Sequence, residues 1–376
     1  MKNLIINILL IVPMILSGQS QNDSKKILMV VSSYGKDSGE YRPGYEFDEF
    51  TQAYLTFAQN DLIIDVASPK GGYVESDKFN QDKEYNKTVL EDSSVMALLK
   101  NTLPTASINP VEYDAIYIVG GKGAMFDLPY DPSLQDIILN LYQREGTILS
   151  SVCHGSAAFV NVKEEDDNYI IEGEEITGFC NTEEELFGKK WVPEFPFKLE
   201  DKLKSRGANF TQADFMLSHV AASGKFITGQ NPYSTTRSAE KVVRALGINP
   251  VKQPLYKDEK SIYLIQDLLE GSKTFSDAEK ELEVDSASFD IELLALWGYY
   301  KMLVEQEDLD ELSKGVSIVE LTSPYFFNEN LQLALAQNHI ALGNSKRASE
   351  ILNDLSTKGL LKSQVDQLRK QLNNSN

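Results

Sequence analysis

A cysteine and a histidine stand side by side in "ILSSVCHGSAAFV" (residues 148–160), in a chain with only two cysteines and three histidines. A thiol next to an imidazole is typical of nucleophilic catalysis, because the imidazole can carry the thiol proton. The apolar run from Ile148 to Val152 predicts a short buried strand, and the small residues at 155–158 predict a helix directly after it. Cys153 would then occupy a nucleophile elbow, where the positive end of the helix dipole favours the thiolate.

A catalytic histidine needs a further group to orient its ring, and acidic residues follow another predicted strand. In "TGFCNTEEELFG" these are Glu183, Glu184 and Glu185, and the residues alone do not choose among them. An attacked carbonyl also needs backbone N–H donors for its oxyanion. Gly121 and His154 would supply them if their two strands are neighbours in the sheet.

The second cysteine, Cys180, lies within the same acidic segment. We interpret it as a plain strand-end cysteine, with a resolving thiol for an oxidised Cys153 as the alternative. The histidines and carboxylates of the chain do not have the spacing of metal ligands, so we expect no metal site and no cofactor.

Apolar strands alternate with helical patterns through the first two thirds of the chain. The strand runs are "KKILMVVSS", "LIIDVASPKGG", "YDAIYIVGGKGAMFDLP" and "GTILSSVCHG", and the helical patterns between them span 47–59, 86–100 and 133–144. This alternation predicts an α/β fold in which a parallel sheet is sandwiched by helices. The glycine-rich and polar loops fall at the carboxyl ends of the strands, where such folds hold their functional residues.

The chain divides into four predicted segments. Residues 1–20, with one lysine before an apolar run, have the layout of a signal peptide, with an uncleaved N-terminal anchor helix as the alternative. We therefore expect an exported protein, periplasmic or secreted. Residues 24–248 form the α/β domain, and the proline-containing stretch 249–258 forms a linker. Residues 259–376 are predicted to be all helical. In them "LQLALAQNHIALGNSKRASEILNDL" is similar to a tetratricopeptide-type helix pair, and a small helical bundle is the alternative.

The net charge of the chain is −20, and hydrophobic residues make up 42% of it. Such a composition supports a sizeable core. The acidic balance, without a clustered basic stretch, argues against nucleic acid and anionic membranes as partners. We therefore expect no nucleic-acid partner, and no membrane association once the signal peptide is removed.

Six motifs follow one another along the chain: "GYEFDEFTQAY", "DVASPKGG", "LKNTLPTASINPVEYDAIYIVGGKGAMFDLP", "SSVCHGSAAFV", "ITGFCNTEEELF" and "FITGQNPYS". In this order they resemble the ThiJ/PfpI superfamily, which has the flavodoxin-like fold of class I glutamine amidotransferases. The branch they resemble is the glutathione-independent glyoxalases (glyoxalase III). The resemblance covers about two thirds of the chain, up to about residue 247.

The resemblance implies a role for each matched residue. Cys153 matches the family's nucleophile and His154 its catalytic histidine. Glu49, in "FDEF", matches the acid whose carboxyl group contacts the nucleophilic sulfur. Glu184 matches the acid that orients the histidine.

The glycines of the third motif imply the oxyanion site. Gly120 and Gly121 match the glycine pair that lines it. This chain departs from the family at Lys122, where a histidine is frequent, and at Ser156, where a proline is frequent. Lys122 adds a cation near the mouth of the site, which makes anionic or differently sized substrates conceivable.

Three functional hypotheses follow. In the first, Cys153 converts small 2-oxoaldehydes, methylglyoxal or glyoxal, to hydroxy acids without glutathione. The second keeps the same nucleophile for amide hydrolysis, as an amidase, peptidase or protein deglycase. The third is a holdase chaperone or scaffold whose helical tail binds a protein partner. The family resemblance also implies a homodimer, with the alternative that the helical tail blocks or replaces that contact.

Overall fold

The computed structural model describes residues 24–188 and 190–375. The predicted signal peptide, residues 1–20, lies outside these ranges. Seven strands form one sheet in the order β3-β2-β1-β4-β5-β9-β8, and β6 and β7 pair separately. The strands are β1 (Lys26–Val30), β2 (Ile63–Ser68), β3 (Leu103–Pro104), β4 (Ala115–Ile118), β5 (Ile148–Val152), β6 (Glu175–Ile176), β7 (Asn209–Phe210), β8 (Val220–Ser223) and β9 (Phe226–Gly229).

The strand pairs of the large sheet are parallel except for β8 and β9, which form an antiparallel edge. Val30 of β1 pairs with Ile118 of β4, and Ile118 pairs with Ser151 of β5. This register aligns the carboxyl ends of three neighbouring strands. The loops that follow them, which carry Gly120 and Cys153, therefore meet at one edge, as the sequence predicted.

Helices cover the sheet, which confirms the predicted α/β class. Helices α1 and α8 pack together, and α5 packs against β4 and β5. The helices of this domain are α1 (Phe47–Gln59), α2 (Glu84–Glu91), α3 (Ser93–Lys100), α4 (Ala124–Asp127), α5 (Pro132–Gln143), α6 (Asn181–Phe187), α7 (Leu199–Ser205) and α8 (Thr235–Ala245).

Two of the predicted helices differ from the observed ones. The predicted helix 86–100 is two helices, because the Asp92 side chain accepts hydrogen bonds from the N–H groups of Ser94 and Val95 and so caps the second one. The helix expected after Cys153 is a 3₁₀ helix over Cys153–Phe159.

The C-terminal part is all helical, as predicted, and α9 begins two residues before the predicted boundary, inside the predicted linker. Helices α11 and α12 pack closely, as do α13 and α14; the tetratricopeptide-like description of this region stays a prediction. Its helices are α9 (Lys257–Glu270), α10 (Phe275–Asp285), α11 (Ile291–Val304), α12 (Leu309–Thr322), α13 (Glu329–Ala341), α14 (Ser345–Thr357) and α15 (Lys362–Ser375).

The helical region shares a hydrophobic core with the α/β domain. Phe215 and Leu217, from the segment between β7 and β8, are buried together with Ile262 of α9 and Trp297 of α11. Polar contacts cross the same boundary: the Tyr85 hydroxyl donates to Asp258, with an oxygen–oxygen distance of 2.6 Å. None of the helices in the described ranges combines the length and apolar composition that a bilayer crossing requires.

Candidate active site

Cys153 lies immediately after the last residue of β5, at the turn that the sequence predicted for it. Its backbone has a φ of +56°, a left-handed conformation that is rare and costly for a residue with a side chain. Gly155 allows the turn to pass close to β4, since a Cβ at this position would lie 2.3 Å from the carbonyl oxygen of Ile118. The thiol is thus held at a strained elbow, and Cys153 is only 4% exposed.

Cys153, His154 and Glu184 form a continuous hydrogen-bonded chain. The Sγ atom of Cys153 lies 3.3 Å from Nδ1 of His154, and Nε2 of the same ring lies 2.8 Å from Oε1 of Glu184. A carboxylate can only accept, so Nε2 carries a hydrogen and Nδ1 is left free to accept the thiol proton. Of the three candidate glutamates, Glu184 is the one that contacts the histidine.

Glu49 approaches the thiol from α1. One of its carboxyl oxygens, Oε2, accepts a hydrogen bond from the Gly120 N–H at 2.7 Å. A Cβ added to Gly120 would lie 2.7 Å from this oxygen and 2.8 Å from the Cβ of Cys153, so the three residues meet at one point. The second oxygen, Oε1, is buried and bonds to no nitrogen or oxygen atom among the described residues, while the Cys153 thiol is a hydrogen-bond partner of this carboxyl group. Oε1 is therefore available to hold a proton.

Burial governs the protonation of this pair. It raises the pKa of Glu49 well above its usual range, and the nearby Glu46 carboxyl raises it further. Burial, followed by the negative charge of Glu49, also raises the pKa of Cys153. Burial thus opposes the thiolate that the helix dipole is expected to favour. The geometry instead favours one proton shared between carboxyl and thiol, with His154 as a second acceptor.

The two glycines after β4 have different places. Gly120 supports Glu49 through its N–H, and its carbonyl oxygen accepts from the N–H of Glu46 at 3.1 Å. Gly121 has a φ of +90°, and a Cβ there would lie 2.4 Å from the Glu46 nitrogen, so only glycine fits. Gly121 and His154 both line the cavity next to Cys153. Their strands, β4 and β5, are paired, which was the condition for a shared oxyanion site.

A cavity of about 270 Å³ opens at the thiol. Lys122 forms part of its wall, as does Glu46, whose pKa burial raises to about 7 while the Lys122 ammonium opposes the rise. The residues that line the cavity are Glu46, Gly121, Lys122, Cys153, His154, Phe179, Glu183, Phe187, Met216, Asn231, Pro232, Tyr233 and Leu296.

Several of these lining residues were not singled out from the sequence. Glu46, Asn231 and Tyr233 lie inside the quoted motifs, so closer reading of those motifs could have found them. Glu183 has a structural function, because its carboxylate accepts from the Asn231 side chain and from the Met216 N–H. Leu296 carries no such signal, since it lies in the helical region.

Both cysteines are free. Cys180 is buried at the start of α6, with its Sγ 3.9 Å from the side-chain nitrogen of Gln230. In residues 24–188 and 190–375, no cluster of three or more histidine, cysteine, aspartate or glutamate side chains is arranged to hold a metal ion. The absence of a metal or other cofactor from the active protein stays a prediction.

The parallel sheet covered by helices, the cysteine at a strand-to-helix turn and the hydrogen-bonded Cys–His–Glu chain together define a class of α/β proteins with a cysteine at the carboxyl edge of the sheet. The sequence profile of the DJ-1/PfpI family matches residues 25–245, and the chain belongs to this family. The resemblance found in the sequence motifs is thereby confirmed.

Named relatives cover the same part of the chain. Glyoxalase 3 of Candida albicans is 28% identical over 237 residues, which is 60% of this chain and 99% of the relative. Glutathione-independent glyoxalase HSP31 of Saccharomyces cerevisiae is 27% identical over 247 residues, or 59% of this chain and 98% of the relative.

Solved structures agree with this assignment. The crystal structure of glyoxalase III from Candida albicans matches with a TM-score of 0.54 at 25% identity, covering 59% of this chain and 97% of that one. The Rapid Encystment Protein 24 KDa of Francisella tularensis matches with a TM-score of 0.56 at 33% identity, covering 59% and 99%. The helical region lies beyond the family match, which ends at residue 245.

Proposed function

We propose that this protein is a glutathione-independent glyoxalase that converts small 2-oxoaldehydes to hydroxy acids. The observation that carries the proposal is a strained cysteine whose Sγ lies 3.3 Å from a histidine that Glu184 orients, at the wall of a cavity. The names of the relatives that cover the α/β domain support it. The protein's own thiol takes the place that glutathione has in other glyoxalases.

The reaction begins when the Cys153 sulfur attacks the aldehyde carbon of methylglyoxal. The thiol proton passes to Nδ1 of His154 and from there to the aldehyde oxygen, which becomes the hydroxyl of a hemithioacetal. The hydrogen on this carbon then moves, as a proton, to the neighbouring ketone carbon through an enediol. The aldehyde carbon is thereby oxidised to a thioester and the ketone reduced to an alcohol. Water cleaves the thioester, which releases lactate and restores the thiol.

Glu49 is the group best suited to carry the proton between the two carbons. Its carboxyl group is a hydrogen-bond partner of the Cys153 thiol, and its oxygen Oε1 bonds to no nitrogen or oxygen atom in the described part of the chain. The raised pKa of Glu49 allows it to hold a proton at neutral pH and to exchange it with the hemithioacetal. His154 remains hydrogen-bonded to Glu184. It accepts the proton of the thiol and later that of the attacking water.

Replacing the nucleophile tests the proposal. Wild-type protein should consume methylglyoxal and form lactate without added glutathione, and Cys153→Ala should reduce the rate to background, since no covalent adduct can form. Cys180→Ala, which removes the other buried thiol, is the matched control and should retain turnover. Methylglyoxal loss and lactate formation are followed in parallel, with thiol titration to verify that Cys153 is reduced.

The result that overturns the proposal is an unchanged methylglyoxal concentration with reduced wild-type protein. Amine release from a peptide or a glycated amino acid, lost in Cys153→Ala, would instead favour amide chemistry at the same residue. Export, a homodimer and a protein partner for the helical tail stay predictions.

A further inference from the structure

The helical region contributes directly to the wall of the active-site cavity. Leu296, in α11, lines the same cavity as Cys153 and His154. It lies outside the family match, which ends at residue 245. The site of this protein is therefore built from two parts of the chain, and the family domain alone leaves one side of it open.

A second apolar residue meets α11 at the same place. Phe187, at the end of α6, lines the cavity and packs edge-on against Tyr300, with 5.0 Å between the ring centroids. Tyr300 follows Leu296 by four residues in α11, so both side chains lie on one face of that helix. The face of α11 that supports Phe187 is thus the face that presents Leu296.

A third apolar residue of the wall, Met216, is positioned by its own hydrogen bond to Glu183 and by the contacts of the preceding residue with α11. Its φ of +59° is unfavourable, and the N–H of Met216 donates to Glu183 at 2.9 Å. The preceding Phe215 stacks on Trp297 with 5.4 Å between centroids, and the indole N–H of Trp297 donates to the Phe215 carbonyl oxygen at 3.0 Å. Helix α11 therefore also positions Met216.

The helix is anchored to this segment by a buried charge. The Lys301 ammonium lies 2.7 Å from Asp214 and 2.7 Å from Glu311 of α12, and its side chain is only 3% exposed. A buried cation with these carboxylate partners fixes the orientation of α11 relative to the 214–216 segment. The apolar wall made by Leu296, Phe187 and Met216 is consequently rigid.

The cavity is larger than methylglyoxal requires. Methylglyoxal has five non-hydrogen atoms, and at the roughly 30 Å³ that a water molecule takes in the liquid it would fill about 150 Å³ at most. The cavity measures about 270 Å³, and Leu296 also lines a neighbouring cavity of about 210 Å³. On the side of Leu296, Phe187 and Met216 the wall of the first cavity is apolar.

We propose that α11 makes this enzyme selective for 2-oxoaldehydes with a bulky apolar substituent, aryl or branched alkyl, and that Leu296 is a specificity-determining residue. The substituent would pack on Leu296, Phe187 and Met216 while Cys153 attacks the aldehyde. This inference rests on the glyoxalase function proposed above. It adds the class of substrate and the element that selects it.

The test compares phenylglyoxal with methylglyoxal in the full chain carrying Leu296→Ala or Leu296→Asp. Removing an apolar contact of this size should lower kcat/KM for phenylglyoxal about tenfold more than kcat/KM for methylglyoxal. Leu296→Asp should lower it further, because a charge replaces the apolar surface. Leu303→Ala is the matched control: Leu303 is a half-exposed leucine of the same helix that lines neither cavity.

A second measurement does not depend on turnover. Mandelate, the hydroxy acid that phenylglyoxal would yield, is titrated calorimetrically into Cys153→Ala with and without Leu296→Asp, and the added change should weaken binding about tenfold or more. An unchanged kcat/KM ratio in Leu296 variants that melt like the wild type overturns the inference and leaves the glyoxalase function standing. If no 2-oxoaldehyde is turned over, the glyoxalase function fails, and equal mandelate binding to both proteins then overturns the selectivity as well.

Discussion

The Cys153 side chain lies at the carboxyl edge of the sheet, directly after β5. Its thiol is buried against a carboxyl group, and burial raises the pKa of both. Such a pair exchanges one proton between two sites at little cost, which suits a reaction that moves a proton from one carbon to the next. The hydrogen bond to Glu184 holds the His154 ring, which is the second proton acceptor, in position.

The role of Glu184 gives a prediction at this scale. Glu184→Gln preserves the shape of the side chain but removes the charge that stabilises a protonated His154. We expect kcat for methylglyoxal to fall at least about 100-fold with little change in melting temperature. Glu185→Gln is the control from the neighbouring position, because the Glu185 side chain is 70% exposed and pairs with Lys198. Equal activity of the two variants would contradict the assignment.

The sequence predicted much of the site, because its motifs place Cys153 and His154 directly after β5 and Glu184 in the helix that follows a later strand, and these side chains meet at one sheet edge. The choice of Glu184 over its neighbours came from the family resemblance and not from the residues themselves. A helix can direct any of three consecutive side chains toward a partner, and only the packing of α6 decides which one. The raised pKa of Cys153 was missed because desolvation depends on tertiary burial.

Among the elements, the pairing of α11 with α12 is critical, because α11 carries Leu296, Trp297 and Lys301. The two helices approach closely where glycines face each other. A Cβ on Gly298 would lie 2.9 Å from the carbonyl oxygen of Gly315, and a Cβ on Gly315 would lie 3.0 Å from that of Gly298. The absence of side chains at this crossing lets the backbones touch.

Substituting either glycine tests this contact. Alanine inside a helix normally stabilises it by about 1 kcal/mol relative to glycine. Gly298→Ala and Gly315→Ala should instead each lower the free energy of unfolding by roughly 1–3 kcal/mol, because the new methyl group meets the backbone of the other helix. Thermal melting measures the effect, and the double variant should lose less than the sum. A rise in melting temperature would show that the crossing has room.

The sequence predicted that this region is helical but not where it packs. Helix α11 is apolar nearly all round, which indicates burial without indicating a partner. Its contact with the 214–216 segment joins residues more than eighty positions apart, and no local pattern encodes such a pairing. Leu296 therefore could not be found as a site residue before the structure was known.

At the scale of the whole molecule, the protonation of Glu259 makes the stability of the folded protein depend on pH. This residue lies in the first turn of α9, 2% exposed, and its oxygen Oε1 has no hydrogen-bond partner among the described residues. Burial raises its pKa to about 7, from about 4.5 in an unfolded chain. The folded protein therefore binds the proton more tightly, so this contribution to stability is complete below about pH 4.5 and is lost as the pH rises to 7.

Removing this carboxyl should flatten the pH dependence. Glu259→Gln keeps an acceptor for the Tyr256 N–H, which lies 3.1 Å from Oε2, and it avoids burying a charge. We expect its free energy of unfolding at pH 8 to exceed that of the wild type by roughly 1–3 kcal/mol and the difference to vanish near pH 4. Glu270→Gln, at the exposed end of α9, is the control and should follow the wild-type curve. Denaturant unfolding between pH 4 and pH 8 measures both, and parallel curves for Glu259→Gln and the wild type would contradict the prediction.

The core that Phe215 and Leu217 share with α9 and α11 has a consequence for how this gene can change. A fragment that ends before α9 would expose these side chains to water, together with the unpaired carboxylate of Asp214. Recombination therefore cannot transfer the family domain of this chain to another protein without exposing this apolar surface. A descendant that lost the helical region would need polar residues in place of these side chains.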